Sequence, residues 1–95
     1  MSILFPEKEK DIEKRCCNIA RDDGWKVRKN SSPHRRAALD HHFLKAGRHV
    51  DIEFKRPGCK PTDLQQDEID DIIAHGGEAY WTDNVLEFKR ILGVK

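Results

Sequence analysis

Residues 49–55 read HVDIEFK, an alternation of apolar and charged side chains that predicts a β-strand. Successive side chains of a strand point to opposite faces, so the three apolar residues face a core and the charged residues face the other way. Charges this close on one face are unfavourable unless a partner or ligand binds them. A half-exposed antiparallel strand also alternates in this way, so an ordinary surface strand stays open as the alternative.

The polar face of this strand carries the residue types of a metal-dependent phosphodiester nuclease. Glu53 and an earlier acid, Asp40, are candidate ligands of Mg²⁺, which prefers oxygen donors. Lys55 lies roughly 6–7 Å from Glu53 along the strand, where an ammonium can orient the attacking water or stabilise charge on a phosphate. The alternative for Lys55 is a structural ion pair with Glu53 or Asp51.

Size and composition set bounds on the class of protein. The chain has 95 residues, of which 37% are hydrophobic and 37% charged, so we expect one domain over residues 1–95 with a small core. Its three cysteines have no CxxC spacing, which favours reduced thiols in a cytoplasmic protein. No apolar run is long enough for a membrane span, and we expect no membrane partner.

Positive charge is concentrated in the middle of the chain. Residues 26–60 hold ten lysines and arginines against three acids, whereas residues 61–95 hold three against eight. A basic surface around a few carboxylates is what a polyanion would need to approach a metal ion. A basic segment can also be only a solvated surface.

Glycine, proline and capping residues divide the chain into seven predicted elements. We predict a helix between residues 6 and 24, a strand at 25–29, hairpin strands at 39–44 and 48–55, a helix at 62–75, a strand at 78–81, and a helix from Thr82 or Asp83 to residue 92. The order α-β-β-β-α-β-α predicts an α/β fold with a mixed β-sheet flanked by helices.

The first helix directs an acid toward the interior. At about 100° per residue, Glu9 lies close to the centre of its apolar stripe and Glu13 lies at the edge. That stripe consists of Ile12, Cys16, Ile19 and Ala20. Glu9 is therefore a further candidate metal ligand, although an acid in a first helical turn can also be there because of the helix dipole.

The second helix places one glutamine among apolar side chains. Gln65 lies on the axis of the predicted stripe, whereas Gln66 lies well off it. The stripe consists of Leu64, Ile69, Ile72 and Ile73. A buried amide needs partners, which the waters of a metal site, Lys55 or a phosphate could supply. The alternative is that Gln65 caps the helix by bonding the backbone at Thr62.

Several segments, in order along nearly the whole chain, resemble the virus-type replication-repair nuclease (VRR-NUC) domain of the PD-(D/E)xK nuclease superfamily. Residues 9–13 look like its first helix, and Asp40 stands where the aspartate of the PD pair belongs. Residues 53–58 (EFKRPG) resemble its ExKxPG motif. Residues 60–65 resemble the run that leads to a helix glutamine, and residues 80–83 resemble the strand and turn before the last helix.

The resemblance implies a restriction-endonuclease-like core and an Mg²⁺- or Mn²⁺-dependent endonuclease that leaves 5′-phosphate and 3′-hydroxyl ends on DNA. The implied catalytic residues are Asp40, Glu53, Lys55 and Gln65. The implied metal ligands are Glu9, Asp40, Glu53 and the backbone carbonyl of Phe54. The candidate contacts to DNA phosphates are Lys29, Ser32, His34, Arg35, Arg36 and Lys60.

Small members of this family look like homodimers that act on branched DNA, such as four-way (Holliday) junctions in DNA repair. Flap or single-strand cleavage is the alternative within the same class. Leu39 stands where the family usually has proline, which favours a second class, a nucleic-acid-binding module that has lost turnover. A plain structural protein is a third possibility.

Three further histidines, His41, His42 and His49, lie in the predicted hairpin. Their spacing matches no closed zinc site, and their strand faces are expected to differ. We therefore interpret them as ordinary hairpin histidines.

Overall fold

The computed structural model describes residues 8–30 and 39–95, and within these ranges the elements follow the predicted order. The elements are α1 (Glu9–Asp22), β1 (Lys26–Lys29), β2 (His41–Lys45), β3 (Arg48–Phe54), α2 (Asp63–Ala74), β4 (Glu78–Thr82) and α3 (Val85–Leu92). The strands form one sheet in the order β1-β2-β3-β4. The first three strands are antiparallel and β4 is parallel to β3, so the predicted mixed sheet is confirmed.

A two-residue turn fixes the register of the β2–β3 hairpin. Ala46 and Gly47 both have positive φ angles, 50° and 83°, as a type I′ hairpin turn requires. The turn pairs Lys45 with Arg48, and the same register pairs His41 with Ile52 farther along. A slip of one residue would exchange the two faces of the strand, so this turn decides which side chains reach the core.

The inner face of the sheet carries the main core, as the alternation in residues 49–55 predicts. Val50, Ile52 and Phe54 are fully buried there. Helices α1 and α3 cover this face, and Phe88 of α3 lies 5.7 Å from Phe54 between ring centroids. Cys16 of α1 belongs to the same core.

The outer face of the sheet holds the charged side chains of β3 and is covered by α2 near β4. A smaller apolar cluster forms under this helix, in which Leu39, Ile69 and Ala79 are buried. Across residues 8–30 and 39–95, every helix is too short or too polar to traverse a lipid bilayer.

Two details of the helices differ from the sequence prediction. Leu64 and Ile73 are 54% and 53% exposed rather than part of a buried stripe. They lie about 180° apart around the helix, so both cannot face the sheet. The cap of α3 is Asn84, whose side chain accepts a hydrogen bond from Glu87 N at 2.7 Å. Thr82 and Asp83, the two caps that the sequence predicted, both precede this position, since Thr82 ends β4 and the helix begins at Val85.

Arg48 ties the hairpin to the end of the last helix. Its guanidinium donates two hydrogen bonds of 2.8 Å to the Glu78 carboxylate on β4. It also donates to the backbone carbonyls of Ile91 and Leu92 at 2.9 and 3.4 Å, where the helix dipole favours a cation. The hydrogen bonds from Arg48 lower the pKa of Glu78 to about 2.

We expect Arg48→Gln to destabilise the protein by about 1–2 kcal/mol, because charged hydrogen bonds to both Glu78 and the α3 carbonyls are lost. Urea unfolding at neutral pH measures this change. The control is Arg90→Gln, which removes an exposed ion pair with Glu87 and should cost less than about 0.5 kcal/mol. Equal effects of the two substitutions would contradict the assigned role of Arg48.

Candidate functional site

Asp40 occupies the junction between β1 and the start of β2. Its backbone carbonyl accepts a hydrogen bond from Asn30 N at 2.7 Å, and its backbone N–H donates to Glu53 Oε1 at 3.2 Å. Its carboxylate accepts from Phe54 N at 3.4 Å. The preceding Leu39 is 4% exposed under α2, so an apolar anchor holds the backbone here.

Three carboxylates converge between α1 and this segment. One oxygen each from Glu9, Glu13 and Asp40 lies within 4.8 Å of the others, and all three residues are half-buried. Burial and the charge of Asp40 raise the pKa of Glu13, while the ammonium of Lys29 lowers it. Glu9 reaches Asp40 as the sequence predicted, but Glu13, which the sequence placed only second, reaches it as well.

Glu53 is buried beside this cluster and is only 2% exposed. Burial and the neighbouring Asp40 raise the pKa of Glu53 to about 8, and Lys55 opposes this shift. Lys55 Nζ lies 3.8 Å from Glu53 Oε2, which is an ion-pair distance but too long for a hydrogen bond. The ammonium therefore faces the same cleft without being tied tightly to Glu53.

Gln65 makes the capping contact that the sequence left as one alternative, and its amide also bonds Glu53, a partner that the sequence did not single out. Its side-chain oxygen accepts from Thr62 N at 2.9 Å, and Thr62 Oγ1 accepts from Gln65 N in return, which is a capping box. Its amide nitrogen donates to Glu53 Oε2 at 3.0 Å. The two ends of one amide thus connect the start of α2 to the buried carboxylate.

The donor set of this cleft suits a hard divalent cation. Its side-chain donors are carboxylate oxygens from Glu9, Glu13, Asp40 and Glu53, the donor type preferred by Mg²⁺ and Mn²⁺. Burial and the charge of Asp40 raise the pKa values of Glu13 and Glu53, and a bound cation would oppose both effects by favouring the ionised carboxylates. Phe54 lies beside Asp40 through its backbone N–H, and the role of its carbonyl as a ligand stays a prediction.

Two of the predicted DNA contacts lie within the described residues. Lys29 is exposed at the end of β1, close enough to the cluster to lower the pKa of Glu13. Lys60 is exposed in the loop that joins β3 to α2. The other predicted contacts, Ser32, His34, Arg35 and Arg36, lie outside the described residues.

The expectation that the hairpin histidines face different ways is wrong for one pair. His41 is buried in the core beside Phe54, and burial lowers its pKa. His42 and His49 instead share the outer face, with His42 Nε2 and His49 Nδ1 3.0 Å apart. Sequence reasoning missed this contact because it depends on the cross-strand register.

Comparison with known proteins shows a likeness in fold to a solved structure. No family model matches the chain, and no curated protein matches it. A solved structure described as a VRR_NUC domain superposes with a TM-score of 0.80, covering 90% of this chain and 94% of the other at 22% sequence identity. The chain has the VRR-NUC fold.

This likeness confirms the fold that the sequence resemblance implied. The VRR-NUC fold includes the mixed sheet and flanking helices that bring Asp40, Glu53 and Lys55 to one cleft. At 22% identity this likeness shows the fold alone.

We expect the stability of the metal-free protein to fall as pH rises from about 5 to above 8. The folded state keeps a proton on Glu53, whose pKa is about 8, whereas the unfolded state releases it near the ordinary value of 4.5. The retained proton on Glu53 contributes on the order of a few kcal/mol to the free energy of unfolding. This contribution is complete at pH values below the pKa of Glu53 in the unfolded chain and is lost at pH values above its pKa in the folded protein. Urea unfolding with a chelator at several pH values measures it.

The isosteric variant Glu53→Gln should show a flatter pH profile than the wild type, because it has no proton to release. Glu87→Gln, which changes a partly exposed carboxylate on α3, is the control and should keep the wild-type slope. Parallel profiles for wild type and Glu53→Gln would refute the assignment of this proton.

Proposed function

We propose that residues 1–95 form a nuclease domain that uses Mg²⁺ or Mn²⁺ to hydrolyse phosphodiester bonds in DNA. The observation that carries the proposal is the convergence of three carboxylates, from Glu9, Glu13 and Asp40, within 4.8 Å. Buried Glu53 and the ammonium of Lys55 lie beside them. The name of the similar solved structure, a VRR_NUC domain, supports the same chemistry.

Asp40 and Glu53 would hold the cation, together with Glu9 and the backbone carbonyl of Phe54. Glu13 joins this set because its carboxylate contacts Asp40. A divalent cation, when bound, supplies Lewis acidity that polarises a phosphodiester and favours the ionisation of water. The protein contributes a rigid frame, since the Asp40 backbone bonds Glu53 and the Asp40 carboxylate bonds the backbone of Phe54.

Lys55 is the proposed catalytic cation. Its side chain is 15% exposed, so its position is restricted, and its 3.8 Å separation from Glu53 leaves N–H groups to donate to a water or a phosphoryl oxygen. Gln65 would orient Glu53 through the 3.0 Å hydrogen bond to Oε2. That bond leaves Oε1 on the side of Asp40.

Positive charge near the cleft would position the DNA. Lys29 lies beside the carboxylates and Lys60 lies in the loop after β3. Such contacts to phosphates fix the position of DNA without reading its sequence. The same role is proposed for Ser32, His34, Arg35 and Arg36.

We further propose that the substrate is branched DNA, such as a four-way junction, with flap or single-strand cleavage as the alternative. The second class of function is a nucleic-acid-binding module without turnover. Burial of Leu39 favours the enzyme, because the residue that replaces the family's proline is anchored and Asp40 still bonds Glu53. The cleavage experiment below separates the two classes.

We expect Lys55→Ala to reduce cleavage of a labelled four-way junction in Mg²⁺ by about a hundredfold or more, because a donor to the developing phosphoryl charge is lost. Binding of the junction, measured by gel shift in Ca²⁺, should be retained. Lys14→Ala, an exposed lysine on α1, is the matched control and should cut at the wild-type rate. A chelator should abolish cutting by the wild type.

Equal cutting by Lys55→Ala would refute the assignment of Lys55. A wild type that binds the junction but cuts no labelled DNA in either Mg²⁺ or Mn²⁺ would identify a binding module. A wild type that neither binds nor cuts the junction at low or at high salt would support the third possibility, a plain structural protein.

We expect the protein to be a homodimer, because a dimer would add buried surface to a small core and supply two active sites for two strands. Light scattering at micromolar concentration should therefore give twice the chain mass of 11.1 kDa. A monomer over the whole concentration range would contradict this prediction.

A further inference from the structure

His42 and His49 form a close imidazole pair on the outer face of the hairpin. In the β2–β3 register His42 pairs with Asp51, and His49 pairs with Leu44, so the two rings are diagonal neighbours. His42 Nε2 and His49 Nδ1 are 3.0 Å apart, and the ring centroids are 5.2 Å apart. Two nitrogens are thus held together by strand pairing rather than by chance contact of long side chains.

Asp51 fixes the orientation of the first ring. Its Oδ1 lies 2.7 Å from His42 Nδ1, and an ionised carboxylate can only accept a hydrogen bond, so Nδ1 carries the proton. In the neutral ring this leaves the lone pair on Nε2, which points toward His49. A carboxylate bonded to the far nitrogen of a histidine is the arrangement that orients metal-binding imidazoles.

The separation of the two nitrogens suits a shared ion. At Zn–N distances of about 2.0–2.1 Å, two nitrogens of a tetrahedral zinc site lie about 3.3–3.4 Å apart. The observed 3.0 Å would need to widen by a few tenths of an ångström, and both rings would need to rotate so that their lone pairs converge on the ion. The proton that His49 donates from Nδ1 in the metal-free pair would move to its other nitrogen, and this residue is exposed to solvent.

The surroundings provide space for further ligands and select against hard cations. His42 and His49 line an open cavity of about 210 Å³ together with Lys26, Arg28 and Leu44, which leaves room for water ligands. The two cationic side chains oppose ions that bind through charge alone, such as Mg²⁺. An ion with high intrinsic affinity for imidazole is less affected.

We propose that His42 and His49 bind a first-row transition-metal cation of the Zn²⁺ class, with water completing the coordination. Asp51 acts as a positioning residue through His42. The site differs from the carboxylate cluster in its donors, nitrogen instead of oxygen, and it does not depend on the proposed nuclease activity.

The test is titration of the full chain with Zn²⁺ in excess Mg²⁺, so that a site for hard cations is already occupied. Calorimetry measures affinity, and NMR of the histidine ring C–H groups reports which rings respond. We expect the His42 and His49 signals to shift together. His42→Ala and His49→Ala should each weaken binding at least about tenfold, and Asp51→Asn should weaken it by about tenfold.

His75→Ala is the matched control, because His75 is an exposed histidine bonded to its own helix at Asp71 O. Its Zn²⁺ affinity should equal that of the wild type. If either hairpin variant fails to fold, the NMR titration of the wild type still shows whether the rings of His42 and His49 bind Zn²⁺.

Three results would overturn the proposal. The first is the absence of Zn²⁺-dependent shifts at His42 and His49, and the second is unchanged affinity in both alanine variants. The third is a response of the two rings to inorganic phosphate but not to Zn²⁺, which would identify an anion pocket built on Lys26 and Arg28.

Discussion

Negative charge crowded between α1 and the β2–β3 hairpin is the constraint on which the rest of the structure depends. Asp40 contacts Glu13 on one side and Glu53 on the other, and burial raises the pKa of both partners. The fold offsets this repulsion with Lys55 and with the Gln65 amide bonded to Glu53. Such an arrangement sacrifices stability in the metal-free protein, which is typical of a site selected for binding rather than for folding.

Much of the fold could be predicted because short-range rules agree with one another. The alternation around Ile52 gave the correct inner face, and the turn at Gly47 gave the correct hairpin. The predicted α2 stripe is correct for Ile69 and Ile72 but wrong for Leu64 and Ile73, because hydrophobicity alone does not decide which residues face the sheet. Leu64 and Ile73 lie on opposite sides of the helix and are both solvent-exposed. Ile69, which lies between them in the sequence, is buried.

The candidate site was predictable where one element determines the direction of a side chain. Gln65 was identified from its angle on the helix, although its two simultaneous bonds, to Thr62 and Glu53, follow only from the approach of α2 to β3. Glu13 was not chosen as a candidate metal ligand because its angle on α1 does not show how close Asp40 lies to it in the fold. The pairing of His42 with His49 likewise required the strand register.

Strand β3 makes polar contacts along its whole length, through Asp51 and Glu53 on its outer face and through Arg48, its first residue. Asp51 bonds His42, and two residues later Glu53 bonds the backbone of Asp40 and the amide of Gln65. Arg48 at the other end of the strand bonds Glu78 and the end of α3. Because a slip of one residue would break all of these contacts together, the register is held by polar partners at both ends as well as by the apolar core. The same register that folds the hairpin therefore assembles the carboxylate cleft, and the two cannot vary independently.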